Sequence, residues 1–565
     1  MEGYSKVMIK KKMTLKDILF TSVERWPDNP ATGPVGSESR TYTGLLEDAA
    51  AWSSWLLTLG LEKGDRVAIL AESLPEWGAA YFGISAAGYV AVPILPDFAE
   101  KQVSNIISHA EIKAAIVSEK LAETIQSAIK DSETLPGDLP LARIESKEIL
   151  SGPGKNSTIS LPENPRAFFE NPLQPDDIAV ILYTSGTTGT SKGVTLTHNA
   201  IAWNAVSAIR EGLGENPQGV RHLSVLPLAH TYECTLGLVG VLSTGGEIKY
   251  LDGPPTASRL MKALGEVKPT MMLTVPLLME KIYRSKVAGP LKAKPIGKIL
   301  YAFPPVRKLI HKIAGKKILE LFGGNIVFYG IGGAPLPKDV EQFLVEGKFP
   351  YSVGYGLTET APLLAGGYPA DMKFRSTGNV LPGVSLRIAD PDTGTGIGEI
   401  QAKGPSIMNG YWKDDEKTAE VFTEDGWFRT GDLGSLDGEI LYIKGRLKDV
   451  LLGSNGENIY PDEVESVING HNYVSESLAY IKDGQLVARI LLDTEKITAE
   501  IKHLRLVGAE KVSAWKNELM NHIRRETNKH LGRNSKIQSF IEQIKPFEKT
   551  PSLKIKRFLY TVKKK

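Results

Sequence analysis

The chain has 565 residues, of which 42% are hydrophobic and 23% charged, so it is long enough for at least two ordinary globular domains. Lys and Arg number 67 against 65 Asp and Glu, and this near-balance excludes the basic field that nucleic-acid binding requires. Cys234 is the one cysteine, which excludes an internal disulfide or a multi-cysteine metal site and favours a reducing, cytoplasmic compartment.

Helix and strand patterns alternate along the first three quarters of the chain. Leu45, Ala49, Trp52 and Leu56 recur at helical spacing, and Gly60 is a plausible stop. A second helix is predicted at about residues 75–87. Short apolar runs typical of buried strands occur at residues 67–70, 90–94, 178–182, 271–275 and 326–329. This alternation predicts an α/β domain with largely parallel sheets.

The pattern changes from about Gly445 onward. A short helix is expected after Pro461, followed by strands at 478–481 and 486–492 and a helix at about 513–531. These elements predict a small α+β domain. We therefore expect a large α/β domain over residues 1–445, with a β-rich subdomain, and a small domain over residues 446–565.

A loop rich in Ser, Thr and Gly follows the apolar run at 178–182. Its glycines expose consecutive N–H groups, its hydroxyls add donors, and Lys192 adds a positive charge, so it can hold a polyphosphate. It is not the common P-loop, because Ser191 stands where that pattern needs glycine. A flexible linker is the alternative, but a linker needs neither a lysine nor a buried strand before it. The predicted phosphate-binding residues are Thr184, Ser185, Gly186, Thr187, Thr188, Gly189 and Lys192.

Three later segments carry further chemistry. The small residues of 330–336 allow a flat ring to approach the backbone, although a tight turn would look similar. Residues 355–360 supply an aromatic face, a hydroxyl and a carboxylate that can hold Mg²⁺. In residues 425–434, Asp432 can bridge two vicinal ribose hydroxyls, and a solvated hairpin is the alternative.

In this order, the segments resemble the signature motifs of the adenylate-forming superfamily, which includes acyl-CoA synthetases, aryl-CoA ligases and luciferases. The resemblance extends over roughly residues 40–557. Residues 425–434 resemble fatty-acyl-CoA synthetases in particular, and residues 268–283 resemble the long-chain enzymes. The resemblance implies a two-step ligase, in which a medium- or long-chain fatty acid and ATP give acyl-AMP and pyrophosphate, and CoA then displaces AMP. Mg²⁺ is the implied cofactor.

The resemblance also implies residue roles. Gly333, Ala334, Pro335, Tyr355 and Gly356 would hold AMP, Thr358 the α-phosphate, Glu359 the metal, and Asp432 with Arg446 the ribose and phosphate. His230 would border the substrate carboxylate, with a structural histidine as the alternative. The uncharged run Cys234–Leu242 is either a core helix or an acyl-channel wall thinned by Gly237 and Gly240.

The end of the chain resembles the family's lysine motif, and the small domain would be mobile about a hinge at Lys448. The aligned catalytic lysine is Lys554. Because Leu553 stands where many members have glycine, Lys556 remains an alternative. The surrounding basic tail is expected to be solvated, with weak peripheral attraction to an anionic membrane surface as a further alternative.

Two rival functions stay open. An acyl-AMP or acyl-carrier-protein ligase would make the same adenylate and pass it to protein-bound phosphopantetheine. A non-catalytic nucleotide-binding protein is a second rival, which the intact set of motif residues disfavours. The chain shows no stretch of about 18 uncharged apolar residues and no secretory pattern at its start, so neither a membrane span nor a leader is expected.

Overall fold

The computed structural model describes residues 12–132, 134–184, 192–214, 217, 219–292, 297, 301–452, 458–532, 535–549 and 555–561. The strands, in chain order, are β1 Pro30–Pro34, β2 Arg40–Thr41, β3 Arg66–Leu70, β4 Val90–Ile94, β5 Ala114–Val117, β6 Leu141–Arg143, β7 Ile149–Ser151, β8 Ile178–Thr184, β9 Lys192–Thr197, β10 Arg221–Ser224, β11 Glu247–Tyr250, β12 Met271–Thr274, β13 Phe328–Ile331, β14 Tyr351–Val353, β15 Tyr355–Gly356, β16 Leu363–Gly366, β17 Asn379–Val380, β18 Ser385–Ala389, β19 Gly398–Lys403, β20 Gly410–Tyr411, β21 Phe428–Asp437, β22 Ile440–Arg446, β23 Leu451–Leu452, β24 Asn458–Ile459, β25 Val474–Lys482, β26 Gln485–Leu492 and β27 Ser539–Gln543.

The α-helices, in chain order, are α1 Leu15–Arg25, α2 Tyr42–Thr58, α3 Trp77–Ser85, α4 Glu100–Ala110, α5 Ala122–Lys130, α6 His198–Leu213, α7 Ala257–Val267, α8 Pro276–Tyr283, α9 Gly289–Lys292, α10 Pro304–Leu321, α11 Lys338–Glu346, α12 Asp415–Val421, α13 Pro461–Asn469, α14 Thr494–His503 and α15 Ala509–His530. π-Helices occupy Tyr232–Gly240 and Arg284–Ala288. Within the described part of the chain, no helix has the length and apolar character needed to cross a membrane.

Two mainly parallel sheets form the α/β body. One has the order β14-β13-β12-β10-β11-β1-β2 and the other β20-β9-β8-β4-β3-β5-β6-β7. Residues of β3 alternate between two cores: Val67 and Ile69 pack in the core shared by the sheets, whereas Ala68 and Leu70 pack beneath α4 and α5. Burial on both faces explains why these strands are continuous apolar runs in the sequence. The predicted α/β class is confirmed.

The β-rich part is a third sheet, which is antiparallel throughout and has the order β15-β16-β17-β22-β21-β19-β18. Its two long strands, β21 and β22, form a hairpin that turns at Asp437-Gly438, where Gly438 has a φ of 60°. One prediction needs correction. The strand expected at 326–329 begins two residues later, because Gly330 and Ile331 pair with both β12 and β14 while Val327 is 55% exposed.

The last part of the chain has its own small sheets, β23-β24 and β25-β26-β27. Its two apolar cores draw all their buried members from residues 459–547. The predicted helices and strands there are confirmed as α13, β25, β26 and α15. The division into domains at residues 445 and 446 stays a proposal, and the separate cores support it.

Candidate active site

Asp432 is the centre of a cluster that joins three of the predicted site residues. Antiparallel pairing of β21 with β22 places it opposite Arg446, whose Nε lies 2.8 Å from Asp432 Oδ1. The Tyr355 hydroxyl donates to Asp432 Oδ2 at 2.8 Å. The carboxylate is thus oriented by two donors from different strands while its side chain is only 8% exposed.

The electrostatics of this cluster favour a charged Arg446 and a neutral Tyr355. Burial raises the pKa of Tyr355 well above its ordinary value, and the neighbouring Asp432 carboxylate adds to the shift. For Arg446, burial acts to lower the pKa, but Asp432, Tyr355 and Glu359 together raise it. The site therefore retains one fixed positive charge beside a carboxylate, an arrangement suited to a phosphate and a ribose.

Tyr411 links the phosphate-loop strand to the predicted metal ligand. Its hydroxyl donates to Glu359 Oε1 at 3.1 Å, and Lys192 Nζ lies 4.5 Å from the centroid of its ring. β20 places Tyr411 there by pairing with β9. Burial raises the pKa of Tyr411 and the Glu359 carboxylate adds to the shift, so the phenol remains a donor. Tyr411 is not predicted as a site residue from the sequence, because only this strand pairing brings it to the site.

The residues around Glu359 fit the Mg²⁺ that the resemblance implies. Magnesium in nucleotide sites is held by one or two carboxylates together with phosphates and water. Glu359 is half-buried and has one oxygen bound by Tyr411. Among the described residues, no group of three or more His, Cys, Asp or Glu could hold a metal by itself. A metal at Glu359 would therefore depend on the phosphates of the nucleotide.

We expect Glu359→Gln to raise the Mg²⁺ concentration needed for half-maximal pyrophosphate exchange by roughly tenfold or more. The amide keeps the shape and can still accept from Tyr411, but it removes the anionic charge that a hard cation prefers. The matched control is Glu399→Gln, which alters a carboxylate paired with Arg429 elsewhere on the third sheet. An unchanged Mg²⁺ titration in the Glu359 variant would remove the metal-ligand role.

The glycine-rich segment at residues 330–335 begins within β13 and has two parts, which differ in what surrounds them. A Cβ on Gly332 would lie 3.2 Å from the ring of Tyr232, and one on Gly330 would lie 3.0 Å from the Tyr232 hydroxyl. These two glycines therefore make room for a tyrosine. Residues 333–335, predicted to hold adenine, are exposed, and Gly333 has a φ of 83°. This second part offers an open backbone at the carboxyl end of a parallel strand.

The segment from Gly356 to Thr360 is shaped by close backbone contact. A Cβ on Gly356 would lie 1.8 Å from the carbonyl oxygen of Pro362, so glycine is required for packing alone. Thr358 is half-buried and begins a short 3₁₀-helix. The backbone N–H of Leu357 donates to Thr360 Oγ1 at 2.9 Å, which fixes the start of that turn. The turn holds Thr358 and Glu359 in one rigid unit.

A narrow apolar cavity lies between α6, the π-helix Tyr232–Gly240 and the parallel strands. Tyr232 and Leu236 of the π-helix, Ile209 of α6, and Phe328 and Gly330 of β13 are among its lining residues. The cavity has a volume of only about 30 Å³. Because π-helices occur preferentially at functional sites, this wall is a candidate part of the acyl site.

Neither Gly237 nor Gly240 is among the residues that line this cavity, and their predicted place in the wall of an acyl channel stays a prediction. A Cβ on Gly237 would lie 2.7 Å from the carboxyl group of Glu233, and one on Gly240 would lie 2.9 Å from Ile209. Glu233 is fully buried and its Oε1 lies 2.8 Å from His222 Nε2. Gly237 therefore makes room for the buried carboxyl group that contacts His222, a contact that is not predicted from the sequence.

His230 lies two residues before the first residue of the π-helix, Tyr232. Its Nδ1 accepts from the backbone N–H of Tyr232 at 3.3 Å, and its carbonyl accepts from the N–H of Cys234 at 3.0 Å. These contacts give the histidine a structural part in starting the helix, and its contact with a substrate carboxylate stays a prediction. Burial raises the pKa of Cys234 to about 12, which argues against this thiol as a nucleophile.

The predicted hinge adjoins a network around Arg557. Lys448 is exposed within a 3₁₀-helix that follows β22 directly. Arg557 Nη2 lies 2.6 Å from Glu465 Oε2 on α13, and its Nε lies 3.8 Å from Asp449 Oδ2, next to Lys448. Burial raises the pKa of Glu465 to about 7, although the Arg557 charge opposes this shift. The network connects the C-terminal segment to the hinge region.

Several predicted residues lie outside the described part of the chain: Ser185, Gly186, Thr187, Thr188, Gly189 and Lys554. The two ends of the phosphate loop are described, and Thr184 pairs with Lys192 across β8 and β9. Lys549 and Ile555 likewise form a bridge on either side of the C-terminal lysine segment. The predicted roles of these residues stay predictions.

Known proteins resemble this chain in sequence and in fold. The family model described as "AMP-binding enzyme" matches residues 19–412. Long chain acyl-CoA synthetase 7, peroxisomal, of Arabidopsis thaliana is 30% identical over 85% of this chain and 74% of its own length. A long-chain-fatty-acid–CoA ligase of Escherichia coli O157:H7 is 28% identical, covering 82% of each chain.

Solved structures are similar over nearly the whole chain. ATP-bound MatB from Rhodopseudomonas palustris has a TM-score of 0.72 at 22% identity, covering 97% of this chain and 98% of its own. A benzoate CoA ligase from Burkholderia xenovorans LB400 has a TM-score of 0.73 at 22% identity, covering 97% and 99%. These likenesses show the fold. The family match and the 30% identical relative establish that the chain belongs to the AMP-binding enzymes and is an AMP-forming acid–CoA ligase, a class that uses ATP and CoA.

Proposed function

We propose that the enzyme activates a medium- or long-chain fatty acid as acyl-AMP and transfers the acyl group to CoA. The observation that carries the proposal is the position of β13. Gly330 on this strand lines the apolar cavity, and residues 333–335 at its carboxyl end form the predicted adenine segment. An acyl chain in the cavity and an AMP on this segment would therefore approach each other along one strand. The long-chain names of the relatives support the same substrate class.

The proposed chemistry has two displacements. A carboxylate oxygen of the acid attacks the α-phosphorus of ATP, and the bond to the bridging oxygen breaks to release pyrophosphate. The CoA thiolate then attacks the acyl carbonyl carbon, and the bond to AMP breaks. Activation is needed because a free carboxylate would have to expel oxide. AMP is a far better leaving group.

In the first displacement, fixed charges would balance the phosphates. We assign Lys192 and Arg446 to this role, with Glu359 holding Mg²⁺, which when bound neutralises phosphate charge. The Tyr355 and Arg446 contacts hold the Asp432 carboxylate, which would accept from the ribose hydroxyls. Lys554 would complete adenylation before the domain of residues 446–565 turns about Lys448 for thioester formation. A cytoplasmic location and a weak lipid contact of the basic tail also remain proposals.

We expect octanoate or palmitate to exceed acetate and a cinnamate-type acid in kcat/KM by at least about 100-fold, since each buried methylene contributes about 0.8 kcal/mol. Rates for these acids are measured with CoA and with a phosphopantetheine carrier protein as acceptor. The measurements test both the proposed class of acid and the proposed acyl acceptor. Preference for acetate or the aromatic acid would overturn the fatty-acyl proposal. Preference for the carrier protein would mean that the carrier protein, and not CoA, is the acyl acceptor.

A reciprocal pair of variants at Leu236 tests whether the cavity is the acyl site. Leu236→Trp should narrow it and shift preference from palmitate towards shorter acids by about tenfold, whereas Leu236→Ala should act in the opposite direction. Gly237 and Gly240 are poorer positions, because added atoms there would meet Glu233 and Ile209. The KM for ATP and the melting temperature serve as controls. Equal chain-length profiles in both variants would place the acyl chain elsewhere.

A further inference from the structure

A buried histidine and a buried glutamate meet next to the residues that line the apolar cavity. His222 belongs to β10, and Glu233 belongs to the π-helix Tyr232–Gly240, which packs against that strand. Neither side chain has any exposed surface, and His222 Nε2 lies 2.8 Å from Glu233 Oε1. Neither residue takes part in the two proposed displacements. Burial of such polar groups is costly unless they are hydrogen-bonded, so each depends on the other.

The hydrogen bonds of His222 connect the π-helix to strand β12. Its Nδ1 lies 3.3 Å from the backbone carbonyl oxygen of Met271, which can only accept, so Nδ1 carries a hydrogen and donates it. A second hydrogen lies between Nε2 and the Glu233 carboxyl group, because two facing lone pairs would repel each other at 2.8 Å. One imidazole ring therefore holds a strand carbonyl on one side and a helix side chain on the other.

These two bonds fix two walls of the cavity relative to each other. Met271 of β12 belongs to the strand wall, and Tyr232 and Leu236 belong to the helix wall. Tyr232 directly precedes Glu233 in the π-helix, and Leu236 follows Glu233 within one turn. Any displacement of Glu233 would move both lining residues with it. The distance between the two walls therefore depends on the bonds of His222.

The carboxyl group of Glu233 has one described hydrogen-bond partner. A Cβ on Gly237 would lie 2.7 Å from Glu233 Oε1 and 3.0 Å from Oε2, so the carboxyl group fits against its own helix only because glycine follows one turn later. Oε2 is buried and has no hydrogen-bond partner among the described residues. His222 is thus the group that determines where this carboxyl lies. π-Helical segments are rare and occur frequently at functional sites, which agrees with a role for this contact in the site.

We propose that His222 and Glu233 are positioning residues that keep the acyl site narrow and so select unbranched acyl chains. The inference rests on the proposed fatty-acyl function, which places the acyl chain in this cavity, and it adds the class of fatty acid that the site would select. A straight chain has the same width along its whole length, whereas a methyl branch needs more width at one point. Walls that hydrogen bonds hold at a fixed distance cannot separate easily to admit the branch.

The test compares kcat/KM of the full-length enzyme for octanoate and for octanoates with one methyl branch, at carbon 4 or at carbon 6. We expect wild type to prefer the straight acid by at least about tenfold, because an added methyl overfills a closely packed site. Glu233→Ala removes the hydrogen bond and should reduce this preference to less than about threefold. Glu233→Gln should retain the preference, because its amide can donate to a neutral Nε2.

A second variant separates the hydrogen bond from the stability of the fold. His222→Leu/Glu233→Met replaces the pair with apolar side chains of similar size, an exchange that often preserves stability at buried polar pairs. We expect this variant to lose the preference for the straight acid as Glu233→Ala does, while the KM for ATP stays unchanged. Melting temperatures of all variants show which of them are as stable as wild type.

The matched control is Glu346→Ala, which breaks another buried contact between a histidine and a glutamate. Glu346 Oε2 lies 2.7 Å from His311 Nδ1, and the two side chains are 9% and 1% exposed. Neither residue lines the cavity, so the preference for the straight acid should persist even where the melting temperature falls.

Four results would overturn the inference: equal use of straight and branched acids by wild type, wild-type preference in both variants that lack the hydrogen bond, equal loss in Glu233→Gln and Glu233→Ala, or equal loss in the control. If wild type still prefers octanoate to acetate, these results leave the fatty-acyl proposal intact. Wild-type preference for acetate would overturn that proposal and this inference together.

Discussion

An Asp432→Asn variant is expected to lose roughly 30-fold to 1,000-fold in kcat/KM for ATP. Asp432 is 8% exposed and binds Tyr355 and Arg446 at 2.8 Å each. Removing one partner of a buried, hydrogen-bonded charge pair costs about 2–4 kcal/mol, which corresponds to that range. The amide retains the shape of the side chain, but it replaces one accepting oxygen with an NH₂ donor and removes the negative charge.

The control for this prediction is Asp425→Asn, in the turn that precedes β21. Asp425 also pairs with an arginine, Arg387, at 2.6 Å, but its side chain is 57% exposed and it lies outside the cluster. Exposed ion pairs contribute little, so we expect less than about a threefold change there. Initial rates across ATP concentrations, with melting temperatures for both variants, provide the comparison. Equal ATP kinetics in the two variants would contradict the ribose-binding role of Asp432.

We expect Lys554→Ala to reduce acyl-AMP formation by roughly 100-fold to 1,000-fold, the range found when one donor to a developing charge is removed. Thioester formation from supplied acyl-AMP and CoA should remain close to wild type, because the lysine is proposed to act only in adenylation. Pyrophosphate exchange measures the first half-reaction, and release of AMP from acyl-AMP measures the second.

Lys556→Ala distinguishes the two lysines that the sequence leaves open. Lys556 Nζ lies 3.8 Å from Glu548 Oε2, and its backbone N–H donates to the Glu548 carbonyl at 2.9 Å. These contacts give Lys556 a place in the packing of the C-terminal segment, so its replacement should leave adenylation nearly intact. The reverse result, loss in the Lys556 variant alone, would move the catalytic role to that residue.

The sequence was most informative where the physical signal is local. Strand β4 is found at Val90–Ile94 as predicted, because a strand buried on both faces is a continuous apolar run. Helix α2 ends at Thr58, two residues before Gly60, whose φ of 71° few other residues adopt. Asp432 and Glu359 can be predicted as site residues from the sequence, because short motifs carry their chemistry within a few residues.

Features that depend on contacts between segments far apart in the sequence could be seen only in the tertiary structure. Tyr411 reaches Glu359 only because β20 pairs with β9, and the cavity exists only because α6 and the π-helix pack over β12 and β13. The uncharged run Cys234–Leu242 correctly predicted burial, but neither the π-helical form nor the role of Gly237 beside Glu233 can be derived from it. A local sequence pattern shows which side of a helix or strand is apolar. Which residues meet across elements is set by sheet order and register, and these are properties of the assembled chain.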